Sequence, residues 1–206
     1  MTSSLTVFLL VLLVPLFLAS WRMTLVGLAA QGFVMASMAW SASHHHVADV
    51  VAMLDLAVVR GVIVPCAIYR VLKRQNRPAR NDVIPANMLS WAMVAVLLGL
   101  AFRGANWLHP GGGSEHLRVA VASAGVLFGL FVLSTQNGAF GQAIGALRIE
   151  NAIALFEVAR DTHEPLGVTL ARSIVFLATA LAYAVYVERI APALPVSPAA
   201  DERAAS

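Results

Sequence analysis

Charge is what this chain has least of. Only 12% of its 206 residues are Asp, Glu, Lys or Arg, against 59% hydrophobic. A soluble globular domain normally carries about 25% charged residues. With charge this sparse and a mean hydropathy of +0.77, lipid must be the solvent for most of the surface. Cysteine is almost absent too. Cys66 stands alone, which excludes an intramolecular disulfide, a cysteine-based zinc cluster and cysteine-ligated iron–sulfur centres. There is no G-x-x-x-x-G-K, no G-x-S-x-G and no H-E-x-x-H, so no cofactor or metal is expected here and any catalysis belongs to partner subunits. The formal charge of +3 does not point to nucleic acid, because the few basic residues gather in one short loop.

What is present is a succession of apolar runs. A spanning helix needs about 20 mostly apolar residues. On that measure the chain reads as an all-α, polytopic transmembrane bundle of seven helices. The spans run from Leu5 to Ser20, Met23 to Ala42, Val47 to Leu72, Met88 to Phe102, Leu117 to Thr135, Gly138 to Ala159 and Leu166 to Val187. Residues 1–189 form a single membrane domain, and the Ala-, Pro- and charge-rich residues 190–206 read as a disordered tail. Leu18-Ala19-Ser20 resembles a signal-peptide cleavage site, but Met1 to Thr6 carries no Lys or Arg. The first segment is therefore expected to remain as a helix.

The stretch from Lys73 to Asp82 is the one strongly basic connection, which makes it cytoplasmic. Seven spans then place the N-terminus outside and the C-terminus inside. The turn holding His44, His45 and His46 falls outside. Consecutive imidazoles do not converge easily on one ion, so a wet turn is expected rather than a metal site. Pro65 is expected to kink the third helix. Gly125, Gly129, Gly138, Gly141 and Gly145 are expected to mark close helix contacts, Gly141 and Gly145 as a G-x-x-x-G.

The information lies in the exceptions. Asp55 and Arg60 fall within the third span, Arg148, Glu150 and Glu157 within the sixth, and Arg172 within the seventh. Each charge near the bilayer centre costs about 2.5–3.5 kcal/mol on insertion scales. Such groups must be paired, solvated or neutralised. Glu150 and Glu157 lie seven apart on one helix face, about 10 Å along the axis. Arg148 points nearly opposite to Glu150, and Asp55 and Arg60, five apart, are expected to diverge. These groups are therefore expected to pair between helices or subunits. Glu150, Glu157 and Asp55 are candidates for a proton or ion relay, Arg60, Arg148 and Arg172 for their charge partners, and Asn151 for a supporting polar contact. On chemistry alone, structural ion pairs explain the same set equally well.

The stretch from Gly141 to Phe156, with Glu150-Asn151 at its centre, resembles the Glu-Asn motif of the hydrogenase-4 component E family. That family supplies a membrane subunit of formate hydrogenlyase and related group 4 NiFe hydrogenases. Gln31-Gly32 and the segment from Val59 to Pro65 resemble the family's second and third helices. Residues 115–189 also resemble subunit K of complex I and its counterpart in Mrp-type antiporters. In subunit K the intramembrane glutamate lies about one turn earlier than Glu150, which leaves the same face pointing the same way.

The resemblance implies a non-catalytic subunit of the bacterial cytoplasmic membrane. It would pack between antiporter-like membrane subunits and a NiFe-hydrogenase-like peripheral arm, lending Glu150 to a hydrophilic axis. Two positions depart from the family's pattern. Arg60 stands where a lysine is usual, and an arginine does not release a proton. Near Leu170-Ala171-Arg172, where an aspartate is frequent, there is no acid, which implies either an altered or broken relay or a salt bridge from Arg172 to Glu150 or Glu157. A scaffold with every charge locked in a pair, and a self-standing small transporter, are the competing readings. A transporter would favour inverted repeats, and the halves of the chain show none.

Overall fold

The computed structural model describes residues 2–17, 20–42, 47–74, 88–136, 138–158 and 165–190. Within them the chain is a bundle of seven helices with no strand. They are α1 (Thr2–Phe17), α2 (Trp21–Ala42), α3 (Val47–Arg74), α4 (Met88–Leu108), α5 (Gly113–Thr135), α6 (Ala139–Glu157) and α7 (Leu166–Ile190). Five of these, α2, α3, α4, α5 and α7, are long and apolar enough to cross a membrane. The shorter α1 is apolar, and its Leu5, Phe8 and Leu12 are fully buried in the bundle. The remaining helix, α6, carries Arg148, Glu150 and Glu157. The protein is thus a multi-pass membrane protein. The three-histidine turn, most of the basic connection and the tail beyond Ile190 lie outside the described residues.

Two boundaries differ from the apolar runs. Helix α4 continues past Phe102 to Leu108, taking in Arg103 and Trp107, and α5 begins at Gly113 rather than Leu117. Both additions lie at helix ends. There a long or amphipathic side chain reaches the polar interface, and charge costs little. The exposed Trp40, Trp91 and Trp107 occupy such terminal positions, as an aromatic belt requires.

Two features fix the packing. First, α5 and α6 form a tight antiparallel hairpin. Its turn passes through Gly138 at φ 145°, a conformation open to glycine. A Cβ on Gly145 would stand 3.1 Å from the Gly129 carbonyl oxygen, and one on Gly129 would stand 3.0 Å from that of Gly145. The two backbones therefore touch, as small residues in membrane helices allow. Gly141 packs against the Gln136 side chain, so both glycines of the G-x-x-x-G make close contacts.

Second, the middle of α3 is not α-helical. Residues Asp55–Ile63 wind as a π-helix, and the Val64 N–H donates to the Val59 carbonyl, five residues back. Pro65 follows at once. It has no N–H to give Gly61, and its ring would crowd that carbonyl in an α-helix. Where a kink was expected, the helix widens. The widened turn packs against α2 so closely that a Cβ on Gly32 would lie 2.6 Å from the Gly61 backbone nitrogen.

The interior holds two large apolar clusters and a small third one of Ala105, Val119 and Ala120. One of the large clusters is built from α1 to α6 around Phe8, Met35 and Phe128, with Leu56 as its buried member from α3. The other joins α2, α3, α6 and α7 around Ile68, Ile144, Leu147 and Phe176. The outward faces of α4 and α7 are strongly apolar, with Leu89, Val96, Leu100, Ile174, Val175 and Val185 exposed. These faces suit lipid.

Candidate functional site

The α2–α3–α6–α7 group holds a continuous network of buried polar side chains. Arg60 is its hub. Its Nε donates to Asp55 Oδ2 at 3.2 Å. Its Nη1 donates to Asn151 Oδ1 at 3.2 Å and to the Glu150 carbonyl oxygen at 3.3 Å. The guanidinium sits over Phe176, with Cζ 3.8 Å from the ring centroid, a favourable cation–π placement. Asn151 Nδ2 donates in turn to Gln31 Oε1 at 3.2 Å. Gln31 and Asn151 are at most 1% exposed, Arg60 is 2% exposed and Asp55 8%.

The Asp55–Arg60 contact corrects the expectation that these residues diverge. Five residues on an α-helix of 3.6 per turn end up about 140° apart. The i→i+5 winding of a π-helix returns them to nearly one face. The pair therefore forms within its own helix, and the same turn aims Arg60 across at α6.

The network lies near the midpoints of α2, α3, α6 and α7. It is therefore at the depth where an unpaired charge is most costly. It is a chain with two loose ends. Gln31 Nε2 and Asp55 Oδ1 are buried and make no hydrogen bond within the described residues. A donor stands at one end and an acceptor at the other, where buried water or a proton can attach. Arginine is not deprotonated in proteins, so Arg60 supplies a fixed charge and geometry.

The remaining candidates are arranged around this centre. The half-buried Glu150 interacts electrostatically with Arg60, as does Arg172. Glu157 forms an ion pair with Arg172 that ties α6 to α7, with the two side chains 30% and 32% exposed. The bridge from Arg172 thus goes to Glu157, not to Glu150. Arg148 is buried in α6, 2% exposed, three residues before Asn151.

Two further ion pairs stitch the ends. Arg118 contacts Glu115 at 3.4 Å and donates to the Val158 carbonyl, closing the C-terminus of α6 with a cation. Arg74 pairs with Glu188 at the opposite end, joining α3 to α7. Among the described residues no three His, Cys, Asp or Glu side chains gather to hold a metal.

Three elements of the site escape a reading of residue chemistry: the π turn, the role of Gln31 and the ring of Phe176. A glutamine at the midpoint of an apolar 22-residue helix was a usable signal for the second. The other two depend on backbone winding and helix rotation, which composition does not encode.

The fold and site define a polytopic membrane protein with a buried charged network at its centre. The chain matches no family model, no curated protein and no solved structure.

Proposed function

We propose that the chain is a non-catalytic membrane subunit of a complex I-like energy-converting hydrogenase or hydrogenase-related redox complex. In it the chain contributes intramembrane charged residues to a pathway for protons or other cations. It would sit in a bacterial cytoplasmic membrane with the Arg74 end of the bundle inside, the N-terminus outside and the C-terminus cytoplasmic. Large antiporter-like subunits and a NiFe-hydrogenase-like arm would be its neighbours.

One observation carries this reading. The three segments that carry the family resemblance are far apart in sequence, yet Gln31, Arg60 and Asn151 hydrogen-bond in one buried chain. Glu150, beside Asn151, brings a carboxylate to the same place. A membrane protein tolerates such groups at mid-depth chiefly where they serve ion movement or hold partners together. A structural scaffold is favoured by one fact: Arg60 is held by Asp55, Asn151, the Glu150 carbonyl and Phe176 at once.

Gentle detergent extraction of the tagged chain, with mass spectrometry of what accompanies it, tests membership. Antiporter-like subunits together with a hydrogenase-like arm are expected. A stable monomer or homodimer, active in transport alone, would overturn the subunit reading in favour of a transporter.

A further inference from the structure

The two halves of the α2–α3–α6–α7 group, above and below the network, are built differently. Toward the Arg74 end, the buried residues of α3 are Val64, Pro65, Ile68, Val71 and Leu72. They meet Leu25 and Leu28 of α2, Phe140, Ile144 and Leu147 of α6, and Ala180, Ala184 and Val187 of α7 in one apolar cluster. The buried hydroxyl of Thr24 turns back onto the Ser20 carbonyl of its own helix. Arg148, one turn from Asn151, is the last charge before this plug. From Phe176 to Val187 the plug is about 16 Å deep at 1.5 Å per residue.

Toward the Glu157 end α3 and α7 are loosely packed, while α2 and α6 remain buried against the other large apolar cluster through Met35, Met38 and Leu155. Residues Val47–Leu54 of α3 include no buried side chain. In the first ten residues of α7, Thr169 alone is buried. Among exposed apolar side chains such as Leu54 and Val168, this half carries polar groups on three helices: Asp49 in α3, Glu157 in α6, and Thr169, Arg172 and Ser173 in α7, with Ser173 Oγ donating to the Thr169 carbonyl. They step from Glu150 to the bundle end. Glu150 and Glu157 share a face and lie about 10 Å apart.

We propose that the central network communicates with water on one side only, through a polar half-channel that opens at the Glu157 end, while the apolar plug seals the Arg74 end. On the orientation above, the open side is the outer face. The inference deepens the relay reading and rests on it for its function, but the hydration itself is a property of this chain alone. Water entering this half reaches Glu150 and then the loose ends at Asp55 Oδ1 and Gln31 Nε2. A cation reaching Glu150 from the opposite side would have to cross the plug.

Thiol accessibility tests this without any transport assay. Single cysteines are placed at Thr169, Ser173, Ile144 and Ala180 in a Cys66→Ala background, with the full chain in native membrane vesicles of both orientations. A small, charged, membrane-impermeant methanethiosulfonate is the probe. Only a hydrated thiol ionises and reacts readily, so Thr169→Cys and Ser173→Cys are expected to label at least about tenfold faster than Ala180→Cys and Ile144→Cys. Their labelling is expected from one vesicle orientation.

Labelling of Ala180→Cys or Ile144→Cys from the Arg74 end would overturn the plug. Failure of both Thr169→Cys and Ser173→Cys to label would overturn the half-channel. Ser→Cys and Ala→Cys change little volume, and full labelling after denaturation confirms that each thiol is present. If the half-channel is absent, the relay reading can still be judged from ion movement, so the two failures are distinguishable.

Discussion

Replacing Arg60 by methionine removes the hub of the network and leaves its partners in place. Asp55, 8% exposed, would lose the cation 3.2 Å away. Breaking a buried ion pair from one side typically costs about 3–5 kcal/mol, since the remaining charge stays uncompensated. The hydrogen bonds to Asn151 and the Glu150 carbonyl go as well. Interhelical bonds of this kind average about 0.6 kcal/mol in membranes, so they add roughly 1 kcal/mol together. The cation–π contact with Phe176 contributes about 1–2 kcal/mol when desolvated.

The sum places Arg60→Met at about 5–8 kcal/mol of destabilisation if neighbouring contributions add, and somewhat less where they overlap. The informative comparison is the double variant Asp55→Leu/Arg60→Met. With both charges removed, the desolvation cost vanishes, and such replacements are often neutral or stabilising. The double variant should recover most of the loss, leaving about 2–3 kcal/mol for the contacts to Asn151, Glu150 and Phe176. Reversible unfolding in mixed detergent micelles, followed by circular dichroism, reads all three proteins. The reasoning is refuted if Arg60→Met costs less than about 1 kcal/mol, or if the double variant is no more stable than the single one.

Other expectations follow from the same geometry. Gly32→Val would drive a side chain into the Gly61 backbone, 2.6 Å from where its Cβ must sit. Backbone cannot yield cheaply, so the variant should fall out of the monodisperse peak on size-exclusion chromatography, while Gly99→Val, in open space, should not. The Glu157–Arg172 pair is about one-third exposed. Glu157→Gln should therefore cost about 1 kcal/mol or less in the same unfolding assay, far less than loss of Arg60. Arg118→Ala removes the cation over the Val158 carbonyl and should lower stability by about 0.3–1 kcal/mol, measured likewise.

Helix positions were largely legible because lipid imposes a length and a composition. The apolar runs located all seven helices, and the errors fall where charge meets the interface, as at Arg103. The glycines of the α5–α6 hairpin announced the close approach that Gly129 and Gly145 make. Arg172 was legible as a bridge to α6, and its choice of Glu157 was one of two geometries considered.

What was not legible is the winding of α3. Pro65 signalled a disturbance, but a kinked α-helix leaves Asp55 and Arg60 on different faces whereas a π turn brings them onto one, and nothing in Asp55–Ile63 marks which occurs. The divergence expected for that pair assumed 3.6 residues per turn throughout. Phe176 is one of nine phenylalanines in the chain. Its role depends on the rotation of α7 against α3, which only packing decides.

The central claim is that the carboxylate beside the network serves ion movement coupled to electron transfer. Ion translocation per electron pair, measured in vesicles holding the intact complex with Glu150→Gln, tests it most directly. Glu150 makes no ion pair at hydrogen-bond distance among the described residues, so the isosteric amide leaves packing intact. Redox turnover and complex assembly are expected to persist while translocation falls several-fold or more. Unchanged translocation at unchanged turnover would contradict the claim, and would leave Arg60 and its partners as a scaffold.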